Sequence, residues 1–232
     1  MQTIQGDGFI VTVIKSGRRK TSALKIKDQH VSIHIPSRLP LKLAREFVLQ
    51  KTSWIQKKLA EQSLKETPEK QFIDGEGFLF LDKKYTLRFI QADTSPSVIK
   101  TPLELELHGR LNRLSITTIR ATLIRWYKQQ AEHYLTSRTA EIARQIDLMP
   151  TSVTVKTYKA RWGSCGIRGD VQFNWKLMLA PPSIIDYVIV HELCHLKHHN
   201  HSALFWQLVE HHSPTFKASR QWLKSNGHSL EI

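Results

Sequence analysis

Apolar and polar residues alternate from Phe9 to Lys15, again over Ala23 to Ile26, and again over His30 to Ile35. This period of two predicts half-buried strands, with Ser16-Gly17 as a turn between the first two. The period then lengthens. Between Leu41 and Leu64, Ala44, Phe47, Val48, Trp54, Ile55 and Leu59 recur at helical spacing, with Lys51, Lys57 and Lys58 facing outward. That pattern predicts one amphipathic helix. Alternation returns after Gly75-Glu76-Gly77. Phe78–Leu81 and Tyr85–Phe89 read as a hairpin around Asp82-Lys83, and Leu103–Leu107 with Leu111–Ile116 as another, turning at His108-Gly109-Arg110.

From Thr117 the texture changes. Residues Ile119 to about Ile146 predict a long helix, bent once or split in two, with Leu123, Ile124, Tyr127, Ala131, Tyr134, Leu135, Ile142 and Ile146 on its core face. After Met149-Pro150 come two short strands, Val153–Thr157 and Val171–Leu179. Ser183 and Asp186 then form a capping box for a helix running from Ile184 to about His199, with Asn200 as its stop. Ser202 caps a further helix, Ala203 to Glu210, and Phe216–Asn226 is the last, ended by Gly227. No internal repeat or low-complexity tract is visible.

The helix after Ser183 carries His191-Glu192-Leu193-Cys194-His195. Residues four apart on a helix differ by about 40° in direction, so both imidazoles point the same way and two nitrogens can reach one ion. The glutamate between them can take a proton from a water activated there, the arrangement of a zinc hydrolase. A third ligand must come from His198, His199, His201 or, more distantly, His211. His198 shares the face of His191, but seven residues of helix span about 10.5 Å, too far for three rings to converge on one tetrahedral ion. His201 lies past the expected helix end, where the chain can fold back, and Ser202 fixes its position. His201 is therefore the expected third ligand.

The fold class expected is α+β. Residues 1–116 form a strand-rich accessory region with one amphipathic helix, and residues 117–232 a zincin-like domain around a metal-binding helix. No apolar run approaches the roughly 20 residues that a membrane helix needs. The first residues show no signal-peptide pattern, and Cys165 and Cys194 give no disulfide framework; together these fit a reducing cytoplasm. Both thiols read as small buried side chains. The formal charge of +14 is spread along the chain and favours anionic partners over membranes, whether nucleotides, nucleic acid or acidic surfaces.

Between the two short strands lies Arg161-Trp162-Gly163-Ser164-Cys165-Gly166, among Lys156, Lys159 and Arg168. The glycines and small residues let a ligand come close, and guanidinium groups match phosphate oxygens in a bidentate way. Trp162 can stack on a base or pack. Arg161, Trp162, Ser164 and Lys159 are the candidate substrate-binding residues.

These segments, with Asn174-Trp175, Leu177-Met178-Leu179-Ala180-Pro181, Asp186-Tyr187-Val188, Leu196, Asn200-His201-Ser202 and Phe205-Trp206, resemble the YgjP-like metallopeptidase-domain family, which is related to the SprT-like and WLM zinc hydrolases. Arg19–Thr21 and Asp74-Gly75-Glu76 resemble its N-terminal part, while Asp82 stands where a glycine is expected in the hairpin. The resemblance implies His191, His195 and His201 as metal ligands and Glu192 as the catalytic glutamate. It also implies nucleotide pyrophosphohydrolysis, notably of UTP, among the activities attributed to the family.

The leading expectation is thus a hydrolase that releases pyrophosphate from nucleoside triphosphates using one divalent metal, zinc, with Mg²⁺ arriving on the triphosphate. The runner-up is a zinc metallopeptidase with the same chemistry. A third reading, from another class, is a basic nucleic-acid-binding protein with a structural zinc, for which Cys194 would be the fourth ligand.

Overall fold

The computed structural model describes residues 2–27, 29–63 and 69–232. They fall into two compact units, 1–68 and 69–232. The first unit holds strands β1 (Gln2–Gln5), β2 (Ile10–Ser16), β3 (Ala23–Lys27) and β4 (His30–Pro36) in the order β1-β2-β4-β3. β2 and β4 are parallel, and the flanking pairs are antiparallel. The alternation seen in the sequence sets this register. Val11 lies opposite Val31 and Val13 opposite Ile33, so one face of the sheet is apolar and buried.

Ala44, Val48 and Ile55 complete that core from two helices, α1 (Leu41–Gln50) and α2 (Thr52–Ser63). The single helix expected over this stretch breaks at Lys51, and Leu64 lies outside the described residues. The break has a local cause. The Lys51 N–H closes back on the Val48 carbonyl at 3.1 Å, and the Thr52 hydroxyl donates to the same oxygen at 3.3 Å. Trp54, expected inside, is instead 44% exposed.

The second unit opens with β5 (Gly77–Phe80), β6 (Lys83–Gln91), β7 (Ser97–Lys100) and β8 (Glu104–Gly109) in the order β5-β6-β8-β7. β6 and β8 are parallel and the outer pairs antiparallel, which repeats the strand order and pairing of the first sheet. The β5–β6 hairpin forms as expected. Leu81 and Asp82 occupy its tip at φ 52° and 65°, the left-handed conformation that a glycine adopts without strain. The second expected hairpin does not form. Residues Leu111–Arg113 make a 3₁₀ turn, and the Ser115 hydroxyl caps the next helix by accepting the Thr118 N–H at 3.1 Å.

That helix, α3 (Ile116–Ile146), runs its 31 residues unbroken. Its buried face includes Ile119, Leu123, Trp126, Tyr127, Ala131, Leu135 and Ile142. A small sheet follows, of β9 (Ser152–Lys156), β10 (Gly163–Cys165) and β11 (Asp170–Asn174) in the order β10-β11-β9. β10 falls where the sequence shows only a turn, and β11 gives way to a 3₁₀ turn over Trp175–Leu179. Helices α4 (Pro182–Cys194), α5 (Ala203–His212) and α6 (Phe216–Asn226) close the chain. The fold is α+β, with sheets first and helices afterwards. Among the described residues no helix is long and apolar enough to cross a membrane.

Candidate active site

Helix α4 is held from outside its own sequence. The expected capping box is absent, because the helix starts at Pro182 with no side-chain cap. Asp186 instead accepts two hydrogen bonds from Arg138 of α3, both at 2.8 Å. Ile184, Ile185, Tyr187, Val188, Ile189, Val190, Leu193 and Cys194 are buried, so α4 is surrounded rather than amphipathic. It also ends sooner than its apolar run predicts. Cys194 is its last residue and His195 its C-cap, so the two histidines sit in the final turn.

That early end shapes the histidine cluster. The chain turns after His195, and the carbonyl of His198 accepts a hydrogen bond from His195 Nδ1 at 2.9 Å. With its proton on Nδ1, His195 presents an Nε2 lone pair, the arrangement that orients imidazole ligands in metal sites. His198 therefore contributes its backbone, while His201 folds back with its ring. Ligand nitrogens of His191, His195 and His201 all lie within 4.8 Å of one another.

The cluster fits a cation on its own chemistry. Nε2 of His201 lies 3.2 Å from Nε2 of His191, so two lone pairs face each other unless a proton or a cation lies between them. Burial, helped by the neighbouring His195, His201 and Arg220, pushes His191 down to about 3, and burial lowers His195 as well. Both rings are thus neutral near pH 7, as metal ligation requires. Nδ1 of His191 is buried with no hydrogen-bond partner among the described residues, a cost carried at the site. Helix α5 supplies the walls. Phe205 stacks on His195 with ring centres 4.4 Å apart, and Trp206 stacks on His201 at 5.5 Å.

Glu192 is buried beside the cluster, and burial pushes its carboxyl up to about 8, opposed only by the positive charge of Arg161. Gly163 of β10 packs against it. The small residues of this loop are expected to admit a ligand. At Gly163 it is the Glu192 side chain that comes close.

The substrate-binding candidates are divided. Arg161 is exposed near Glu192, its guanidinium over the Tyr158 ring at 5.2 Å and with no carboxylate partner among the described residues. Lys159 is exposed. Trp162 packs over Gly227, with a ring carbon 2.9 Å from where a Cβ would stand. The Ser164 hydroxyl faces that of Tyr158 at 3.4 Å. Asn174 fastens the loop, donating from Nδ2 to the carbonyls of Tyr158 and Arg161, both at 3.1 Å. Cys165 and Cys194 are free thiols that burial pushes up to about 11 and 12, and neither joins the histidines.

Arg220 has no signal in the sequence, and Tyr187 shows there only within the Asp186-Tyr187-Val188 segment. Tyr187 lies one turn before His191 with ring centres 5.9 Å apart, inside an apolar run that reads as core. Arg220 sits on the exposed face of α6 beside Lys217, Gln221 and Lys224, where a single basic residue does not stand out.

A family model described as YgjP-like, metallopeptidase domain, matches residues 20–226. Among solved structures, the metallopeptidase zymogen of Pyrococcus abyssi abylysin is similar at 18% identity and a TM-score of 0.33, covering 39% of this chain and 93% of that one. No curated protein matches.

Proposed function

Because the chain belongs to the YgjP-like metallopeptidase-domain family, we propose that this metal-dependent hydrolase acts on nucleoside triphosphates, UTP among them, and releases pyrophosphate. The observation that carries the substrate class is Arg161, a guanidinium near Glu192 that forms no ion pair among the described residues, with Lys159 exposed two residues before it. Such donors suit phosphoryl oxygens better than an uncharged peptide.

His191, His195 and His201 would hold one divalent ion, and three imidazoles favour zinc over magnesium. When bound, that ion supplies Lewis acidity, polarising the phosphoryl oxygen and acidifying a water. Glu192 takes the proton of the attacking water and passes it to the departing pyrophosphate. Burial alone holds Glu192 protonated up to about pH 8, and a divalent charge in the histidine cluster would lower that value and free the carboxylate to act as base. Arg161 offsets charge on the phosphates. Mg²⁺ enters with the triphosphate as part of the substrate.

A second reading is favoured by β10, which lies at the edge of its sheet, pairs only with β11 and touches Glu192 through Gly163. An extended peptide can add to such an edge, so a zinc metallopeptidase uses the same His-Glu-x-x-His groups on a peptide carbonyl. The reading as a nucleic-acid-binding protein with structural zinc has less support. A closed site normally has four protein ligands, and the described residues bring three together.

The test is pyrophosphate release from the four ribonucleoside triphosphates by the zinc-loaded protein, against Glu192→Gln and alongside a peptide library. Turnover lost in the variant supports the nucleotide reading. Peptide cleavage that depends on Glu192, without triphosphate turnover, transfers the assignment to the peptidase.

A further inference from the structure

We propose that Arg220 is a substrate-binding residue that takes phosphoryl oxygens of the polyphosphate chain. The inference rests on the nucleotide reading above and deepens it. Arg220 lies on α6 and is exposed, with its guanidinium carbon 4.9 Å from the centre of the Trp206 ring. Trp206 in turn stacks on His201 and lies 5.7 Å from the His191 ring. One indole thus separates Arg220 from the histidine cluster.

Arg88, Arg110 and Arg138 are each paired with carboxylates, whereas Arg220 forms no ion pair or hydrogen bond among the described residues. A guanidinium over an aromatic ring spends none of its N–H donors on a carboxylate, so they remain available to an anion.

Arg161 reaches the site independently, from the loop before β10, whose Gly163 packs against Glu192. Both β10 and α6 pack against α4. A monoanion needs one such group. A triphosphate has several phosphoryl groups in line, and two guanidinium groups from separate elements suit it: one near the attacked phosphorus, the other on the rest of the chain.

The test uses the full chain, zinc-loaded and metal-free, with Arg220→Gln and Arg220→Lys. Inorganic tripolyphosphate is titrated by calorimetry, zinc affinity is measured separately, and KM and kcat are taken for the triphosphates. The expected result in Arg220→Gln is tripolyphosphate binding weakened about tenfold or more, since charge-assisted hydrogen bonds are lost, with a matching rise in KM. Arg220→Lys should fall between, and zinc affinity and kcat should hold. Unchanged tripolyphosphate binding and KM in a protein that still releases pyrophosphate would overturn the role of Arg220 and leave the nucleotide reading standing. Lost zinc affinity with intact tripolyphosphate binding would overturn it in favour of a role in holding Trp206 against His201. If the parent protein neither binds tripolyphosphate nor turns over any triphosphate, the nucleotide reading fails and takes this assignment with it.

Discussion

Gly163 leaves no room for a side chain beside Glu192: a Cβ there would stand 2.6 Å from Oε1 and 2.7 Å from Cγ of the glutamate. Real contacts of that kind do not occur, so one partner must move. Glu192 is the end that can. Gly163→Ala should therefore displace the carboxylate while the fold and the histidines stay in place. Turnover should drop about 100-fold, the cost of moving a reacting group by roughly 1 Å. Kinetics and metal analysis on the same sample decide it; full activity with an alanine there would show that the contact is slack.

The histidine cluster predicts a steep dependence on His201, which lies outside α4 and returns to it only by folding back. Removing it as His201→Ala should weaken zinc binding by more than the roughly 10–100-fold that outer-shell changes cost. Chelation of the parent protein should abolish turnover, and zinc should restore it. Equal zinc content after dialysis in the parent and the variant would contradict the assignment.

Glu192 makes a pH prediction for the metal-free protein. Its folded value, about 8, lies above its ordinary 4.5, so the folded state holds a proton that the unfolded chain gives up first. Stability from this group is complete below about 4.5 and is lost as pH rises through about 8. Thermal midpoints of the parent should therefore fall, relative to Glu192→Gln, between about pH 5 and pH 9. Parallel curves would show that the carboxyl is not desolvated in solution.

Arg138 and Asp186 join α3 to the first turns of α4 by a two-pronged pair, with each side chain about one-third exposed. Charge-assisted bonds of this geometry, discounted for solvent, are worth about 1–2 kcal/mol. Arg138→Ala and Asp186→Ala should each lower unfolding free energy by that amount. Their double variant should lose less than the sum, as urea titrations in a mutant cycle will show.

The second unit shows how far periodicity reaches. The long apolar face of α3, the β5–β6 hairpin and the helices α5 and α6 follow from patterns that repeat over many residues. His191, Glu192 and His195 were legible because local spacing places them on one face. His201 was legible because Ser202 could be read as a cap, and that cap forms, with the Phe205 N–H bonded to the Ser202 hydroxyl at 3.4 Å. The rest depends on partners distant in sequence. Asp186 reads as a cap until Arg138 arrives, 48 residues earlier, to claim it. β10 is only three residues long, too short for a period to appear, and exists because β11 pairs with it. Arg220 carries no local mark because its meaning comes from Trp206.

The carbonyl of His198 gives that position an unusual kind of constraint. What the site takes from residue 198 is a place for an oxygen, which any amino acid able to follow the same turn supplies. Because that oxygen belongs to the backbone, replacing the imidazole would leave it in place. Changing the number of residues between His195 and His201 would not. A single insertion there would leave every histidine present and still disarm the cluster, since the proposed metal site depends on the length of that turn as much as on its side chains.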